Sequence, residues 1–254
     1  MRVNELVCKY NIRKVVINAD DSGLNPDVNK AIIELLKSGR IDRTTLMVNM
    51  PFAEEAARLL KEEHLEDAAG IHLNLADGTP LTERIKGTPL CADGQFNRCQ
   101  MLPSYRFFLK PSIYSAVKEE LDCQFRRFYE LFGHYPTHVD SHGHFHNFLP
   151  YLSIILPLSK KYGVRSMRIA INLFNKKDAG IAKRFYKSFV NAIIKSRFEH
   201  TDCMGSYTEL LEFATMAEGK TLELMVHPTM KDGKVVDTIF ENGFRQYIDF
   251  SNIR

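Results

Sequence analysis

Between His138 and His146 the chain carries an ionisable side chain at every second position: His138, Asp140, His142, His144 and His146. A buried core strand or a solvated face does not explain that run. Imidazole nitrogens beside a carboxylate are the donors a divalent metal takes, with spare carboxylates or histidines fixing ring orientation. Other reactive side chains stand apart in sequence: Asp20 and Asp21, His72 and Asn74, Arg168, and His227 before Pro228. Taken singly, each has a plainer reading. Asp20-Asp21 before Ser22-Gly23 also suits a turn or a helix cap. A lone His72 also suits a hydrogen-bonded core histidine, and His227 a structural turn. His64, His134 and His200 have no nameable partner.

The elements that must position these residues follow from hydrophobic spacing. Residues 14–18 form an apolar run of strand type, ending just before Asp20 and Asp21. Asn25 suits a helix N-cap and Pro26 the first helical position. Val28, Ala31, Ile32, Leu35 and Leu36 then line one helical face, and Gly39 closes it. Strands are expected at 44–49, 70–75, 137–141, 164–170 and finally 221–226. Helices are expected at 53–63, 112–132, 149–161, 179–197 (one or two) and 207–217. In 70–75, Ile71, Leu73 and Leu75 alternate with His72 and Asn74, which puts the polar pair on one face. The strand–helix alternation predicts an α/β fold: a parallel sheet with helical crossovers, open or closed into a distorted or incomplete (β/α) barrel. No linker divides the chain, so one domain is expected over 1–254. The reactive residues all fall at or just after strand ends, and in such folds those ends gather at one rim. Residues 77–111 are expected to be a long functional loop, a lid or a groove wall. Its Tyr105, Phe107 and Phe108 are candidates for a lid or a dimer contact.

Composition narrows the function classes. The 254 residues hold 34 Lys and Arg against 31 Asp and Glu, a net charge of +3, with 17 Phe and 10 Tyr. This excludes a disordered chain and leaves no sequence-wide footprint for nucleic acid. The basic stretch from Lys176-Lys177 to Lys187 is most simply a solvated helix face, with contact to an acidic ligand as the weaker alternative. No apolar run reaches the roughly 18 residues that span a bilayer. With no leader-like start, a cytoplasmic protein without membrane contact is expected. Its five cysteines (8, 91, 99, 123 and 203) are then reduced thiols, with Cys123 in the core, although Cys91 and Cys99 could close a loop.

Four segments in order resemble the signatures of the YdjC-like carbohydrate deacetylases. They are Asn18-Ala-Asp20-Asp21-Ser-Gly23-Leu, Gly70-Ile-His72-Leu-Asn74-Leu, His138-Val-Asp140-Ser141-His142-Gly-His144-Phe-His146 and Glu223-Leu-Met-Val-His227-Pro228. They run from about Val15 to Pro228, most of the chain. The resemblance implies a distorted (β/α) barrel and hydrolysis of an N-acetyl group on a sugar such as a chitooligosaccharide. It implies one divalent metal on Asp21, His72 and His142, with Asp20 as catalytic base and His227 near the reacting group. It also implies a homodimer. Three departures stand out: Ser22 where Phe is usual, Gly143 where Gln or His is usual, and a short tail after Pro228, consistent with a shortened closing helix.

Amide hydrolysis needs an activated water, a polarised carbonyl and a protonated leaving amine. A metal on three protein ligands leaves room for water and the acetyl oxygen. Asp20 would take the proton of the water and His227 would serve the departing amine or the oxyanion. Asp140 is expected to orient a histidine and Arg168 to hold Asp20 ionised. His144 and His146 either line the groove or orient the ligands, and Asn74 is a candidate for substrate contact. Two imidazoles and a carboxylate favour zinc over magnesium, yet the family resemblance points to magnesium, so both ions stay open. A phosphoesterase would need a phosphate-binding Gly-rich loop, and none is present. A non-catalytic sugar-binding module would lack the base or a ligand. An amidase acting on a non-sugar acetamide fits the same residues.

Overall fold

The computed structural model describes residues 1–97, 103–174, 180–241 and 244–253, without the side chains of 240, 241 and 244. Cys99, Lys176 and Lys177, and the expected helix start at 179 lie outside the described residues. The chain begins with α1 (Val3–Lys9), which the hydrophobic spacing did not predict. Then come β1 (Lys14–Ser22), α2 (Pro26–Lys37), β2 (Arg43–Leu46), α3 (Ala53–Glu62) and β3 (Ala69–Leu73). The Asn25 side chain accepts from the Val28 amide, and Gly39 takes φ +65°, so α2 is capped at both ends as expected.

The segment 77–111 is not structureless. It holds α4 (Glu83–Lys86), the small hairpin of β4 (Cys91–Ala92) and β5 (Gln95–Phe96), and a 3₁₀ turn at Pro103–Arg106. The buried Glu120 carboxylate anchors it by accepting from the Leu81 and Thr82 amides. Tyr105, expected at the surface, is buried, because the turn folds its ring inward; Phe107 and Phe108 are exposed.

Next come α5 (Pro111–Phe132), β6 (His138–Ser141), α6 (Leu149–Lys161) and β7 (Ser166–Met167). They are followed by α7 (Ile181–Lys195), β8 (Cys203–Ser206), α8 (Tyr207–Phe213) and β9 (Thr221–Val226). The expected strand 164–170 is thus only two residues long, and β8 was not predicted, its Gly and Ser giving little strand signal.

Seven strands form one parallel sheet in the order β7-β6-β3-β2-β1-β9-β8. Between the edge strands closure is partial. Ser166 makes an isolated bridge to Glu199, and the Asn172 and Leu173 amides donate to the Met204 carbonyl. The result is an incomplete barrel with helices on its outside. Ile17, Leu46, Ile71, Val139 and Leu224 share one sheet face, opposite the polar one, and are buried in one core with Leu35, Leu60, Phe125 and Ile155 from the helices. Residues 221–226 are not the last strand. The tail builds an antiparallel sheet of β10 (Pro228–Lys231), β11 (Lys234–Glu241) and β12 (Phe244–Asp249). In place of a closing helix there is a 3₁₀ turn, Phe250–Asn252. Four cysteines, at 8, 91, 123 and 203, are free thiols, and Cys123 is half-buried rather than core.

Candidate active site

Consecutive residues of a regular strand point to opposite faces, so Asp20 and Asp21 could not both face one mouth without a local defect. The defect is present. Pairing with β2 runs Ala19 with Thr44 and then Ser22 with Leu46, one extra residue on β1. Asp21 takes φ +66°, in the left-handed region. This bulge turns both carboxylates toward the rim. Its strain sits where side chains must be aimed, as at other functional positions.

His72 comes from β3 and His142 from the turn directly after β6. Asp21 Oδ1 lies 3.2 Å from His72 Nε2 and 2.7 Å from His142 Nδ1. The donor atoms of Asp21, His72 and His142 all lie within 4.8 Å of one another. Asp140, the register partner of His72 across β3 and β6, sits with Oδ1 2.6 Å from His72 Nδ1. That contact leaves Nε2 aimed at Asp21. Asp77, which the sequence reading did not single out, lies 3.0 Å from His142 Nε2.

Behind these residues Arg168 is buried among three carboxylates. Its terminal nitrogens lie 2.6 Å from both Asp20 oxygens, one also 2.8 Å from Asp140, and Nε donates to Glu223 at 2.6 Å. Arg43 takes the other Glu223 oxygen at 2.7 Å. The Asn18 amide donates to Asp20, and the Thr45 hydroxyl to Asp140. Glu223 was visible as a charge in an otherwise apolar strand sequence; nothing in sequence marks Arg43, between Asp42 and Thr44, or Thr45.

Four carboxylates, of Asp20, Asp21, Asp140 and Glu223, face two guanidinium groups and the imidazoles of His72 and His142. Burial opposes ionisation of Asp20, but the Arg168 charge overrides it and holds the carboxyl below the ordinary range. Burial likewise opposes ionisation of Asp21, and its bonds to His142 and His72 hold it well below that range. Burial opposes a charged His72, yet the Asp140 charge lifts its pKa to about 10. His142 is raised too, its bond to Asp21 outweighing burial.

The remaining members of the histidine run are not in this donor set. The His138 ring stacks over Gly70, where a Cβ would come within 2.4 Å, and its Nε2 faces the Thr44 carbonyl at 3.2 Å. Burial first, then Arg43, push its pKa well down. His146 is buried behind the turn with Nδ1 2.6 Å from Ser141 Oγ. His144, at φ +57° after Gly143 at +66°, is held neutral by burial and then by Arg168, with a pKa of about 3. Strict alternation fails beyond Ser141 because the strand ends there. Asn74 also points away from the reacting groups. Its Oδ1 accepts from the Ala76 and Asp77 amides and its amide donates to the Asp77 carbonyl, which fixes the turn that carries Asp77.

A cavity of about 290 Å³ opens over Asp20, Asp21 and His227. The first turn of α2 borders it, and its far wall is the antiparallel sheet, with Thr229, Lys231, Thr238, Arg245 and Tyr247. His227 is held by its backbone: its amide donates to Asp237 at 2.6 Å and its carbonyl accepts from Thr238. Asp20, Asp21 and His227 thus open on one space, with His72 and His142 in contact with Asp21 behind it.

The family model described as YdjC-like protein matches residues 14–248. A chitooligosaccharide deacetylase of Klebsiella pneumoniae is 30% identical over 239 residues, covering 90% of this chain and 86% of that protein. A carbohydrate deacetylase of Clostridium beijerinckii is 30% identical over 230 residues, covering 89% and 85%. A crystal structure from Enterococcus faecalis V583, of a candidate cellobiose-phosphate cleavage protein, matches at TM-score 0.66 and 24% identity, over 86% of this chain and 82% of that one. That likeness concerns the fold. With its four motif segments inside the matched span and their side chains converging on one rim, the chain belongs to the YdjC-like protein family.

Proposed function

We propose that this protein is a carbohydrate deacetylase that removes an N-acetyl group from an amino sugar or oligosaccharide, with one divalent ion held by Asp21, His72 and His142. The observation that carries this reading is the convergence of those three side chains beside the Asp20–Arg168 pair at the floor of the cavity. The donor set fits an ion on two counts. Asp140 already fixes the His72 ring with Nε2 toward Asp21, as second partners of metal-binding histidines do. Asp21, set against both His72 and His142, supplies negative charge that a divalent cation would neutralise in place of imidazole protons. When bound, such an ion supplies Lewis acidity, polarising an acyl oxygen and lowering the pKa of a water to about 7.

The chain's own residues supply the proton transfers. Asp20, kept anionic by Arg168, takes a proton from the attacking water as the carbon–oxygen bond forms. The amide carbon–nitrogen bond then breaks, and His227 delivers a proton to the departing nitrogen. The products are acetate and the free amine. Asp140 and Arg168 position: the first orients His72, the second holds Asp20. Lys231, Arg245 and Tyr247 border the space where the sugar would lie.

Acetate release from a panel of N-acetylated sugars, including chitobiose and longer chitooligosaccharides, tests the proposal. The expected result is release that a chelator abolishes and zinc or magnesium restores. No release from any sugar, with the ion demonstrably bound, overturns it.

A further inference from the structure

Residues 142–198 contain eleven Lys and Arg and a single acid, Asp178, although the whole chain carries a net charge of only +3. Residues 103–118 add three cations and no acid. Only their leading ends meet beside the rim, where the segments after β6 and β7 leave the sheet: Lys160, Lys161, Lys195 and Arg197 lie at or just past the far ends of α6 and α7, and Arg168 is buried in the site. Arg106 lies 5.5 Å above the Phe148 ring, and the Leu149 amide donates to the Tyr186 hydroxyl at 3.0 Å. The 3₁₀ turn at Pro103–Arg106, the start of α6 and the first turns of α7 are therefore neighbours.

That surface is apolar where it is most exposed. On α7, Val190, Asn191 and Ile194 face the core. Ile181, Phe185 and Phe189, four residues apart, form a second stripe, with Ile181 73% and Phe185 74% exposed. Phe107 is 75% and Phe108 64% exposed across the collar. Lys183 and Arg184 stand exposed beside the stripe, and Arg106 and Lys110 beside the phenylalanines. Lys187 turns inward to the Ile171 carbonyl. Single exposed apolar residues are ordinary, but five around a cationic rim are not.

We propose that α7, with Phe107 and Phe108, is a docking surface for a membrane of anionic phospholipid. Aromatic and aliphatic side chains would enter the headgroup boundary while the cations meet lipid phosphates, the arrangement of interfacial amphipathic helices. Charge selects this occupant over a second copy of the chain. A two-fold contact would bring two copies of the same cationic patch together, and neither 103–118 nor 180–194 carries an acid to pair with Lys183 and Arg184. Among the described residues no helix is long and apolar enough to cross a membrane, so the contact is peripheral. The proposal is independent of the deacetylase reading; it implies only that the mouth of the site faces the lipid surface.

Flotation of the full chain with phosphatidylcholine vesicles, with and without phosphatidylglycerol, tests it. Binding is expected only with the anionic lipid and should weaken as salt rises. Lys183→Glu with Arg184→Glu should weaken binding by about fivefold or more for each cation. Ile181→Ser with Phe185→Ser should weaken it by about tenfold or more. All four positions are exposed, so melting temperatures should hold. Equal binding to neutral vesicles, no effect of either pair, or no flotation at all overturns the proposal. Sedimentation velocity identifies one alternative: a dimer that Ile181→Ser with Phe185→Ser dissociates, without flotation, assigns the stripe to a second copy.

Discussion

The two walls of the cavity over Asp20 are made differently. The wall from the parallel sheet presents Asp20 and Asp21, backed by His72 and Asp140; all four are buried, and each of these charges touches at least two partners. The wall from β10 to β12 presents Lys231 and Tyr247, with Lys231 stacked 3.6 Å over the Tyr247 ring and Tyr247 39% exposed. In the first wall low dielectric makes every charge contact strong and every lost partner costly. In the second, solvent weakens each contact and side chains can adapt. The comparison teaches that the charged groups are held by burial, whereas the wall built by the tail can adapt.

Substitutions can break or sharpen that contrast. The largest effect is expected from Asp20→Asn, which should lower turnover by about 10²- to 10⁴-fold with the bound ion retained. Near-normal acetate release would end its assignment as base. Asp140→Asn comes next: freed from its orienting carboxylate, the site should bind its ion about 10- to 100-fold more weakly, measurable by titration calorimetry. Unchanged affinity would remove Asp140 from the support of His72. On the opposite wall, Tyr247→Ala should raise KM a few-fold and leave kcat nearly constant, the signature of lost uniform binding. A collapse of kcat instead would show that the two walls do not divide the work.

The smallest effect concerns stability. Asp237, between the walls, is buried, and burial lifts its pKa from 3.8 to about 6 despite the opposing His227 charge and amide bond. The folded state therefore binds the proton more tightly than the unfolded chain between those values. Stability is lost as pH rises from about 4 to about 6, and the cost is fully present above that window. Asp237→Asn keeps an oxygen for the His227 amide and cannot ionise. Denaturant melts should show the variant gaining stability relative to wild type from pH 4 to pH 7. A constant difference would contradict the burial argument.

Much of this architecture is legible from spacing. The helical faces at 28–36 and 112–132 and the strands at 14–18 and 221–226 follow from periodicity, because apolar stripes must find a core. The rim argument works for the same reason: alternating strands and helices force carboxyl ends together. Alternation misled at 138–146. Five residues at every second position promise one face, but β6 stops at Ser141 and the positive φ of Gly143 and His144 breaks the alternation, so His144 and His146 do not join the donor set. The tail gave no warning of its sheet, since the motif segments end at Pro228 and the cavity wall begins there.

From the sequence alone came the residue types that could do the chemistry, the parallel α/β order and the delivery of separate segments to one rim. These are local matters of periodicity, capping and connection. Only the tertiary structure decided that a bulge in β1 aims Asp20 and Asp21 into the same mouth, and that Arg168, just after a strand two residues long, locks Asp20 while sharing Asp140 and Glu223. It also decided that the tail closes the cavity. Those outcomes depend on register between strands far apart in the chain, which no local pattern encodes.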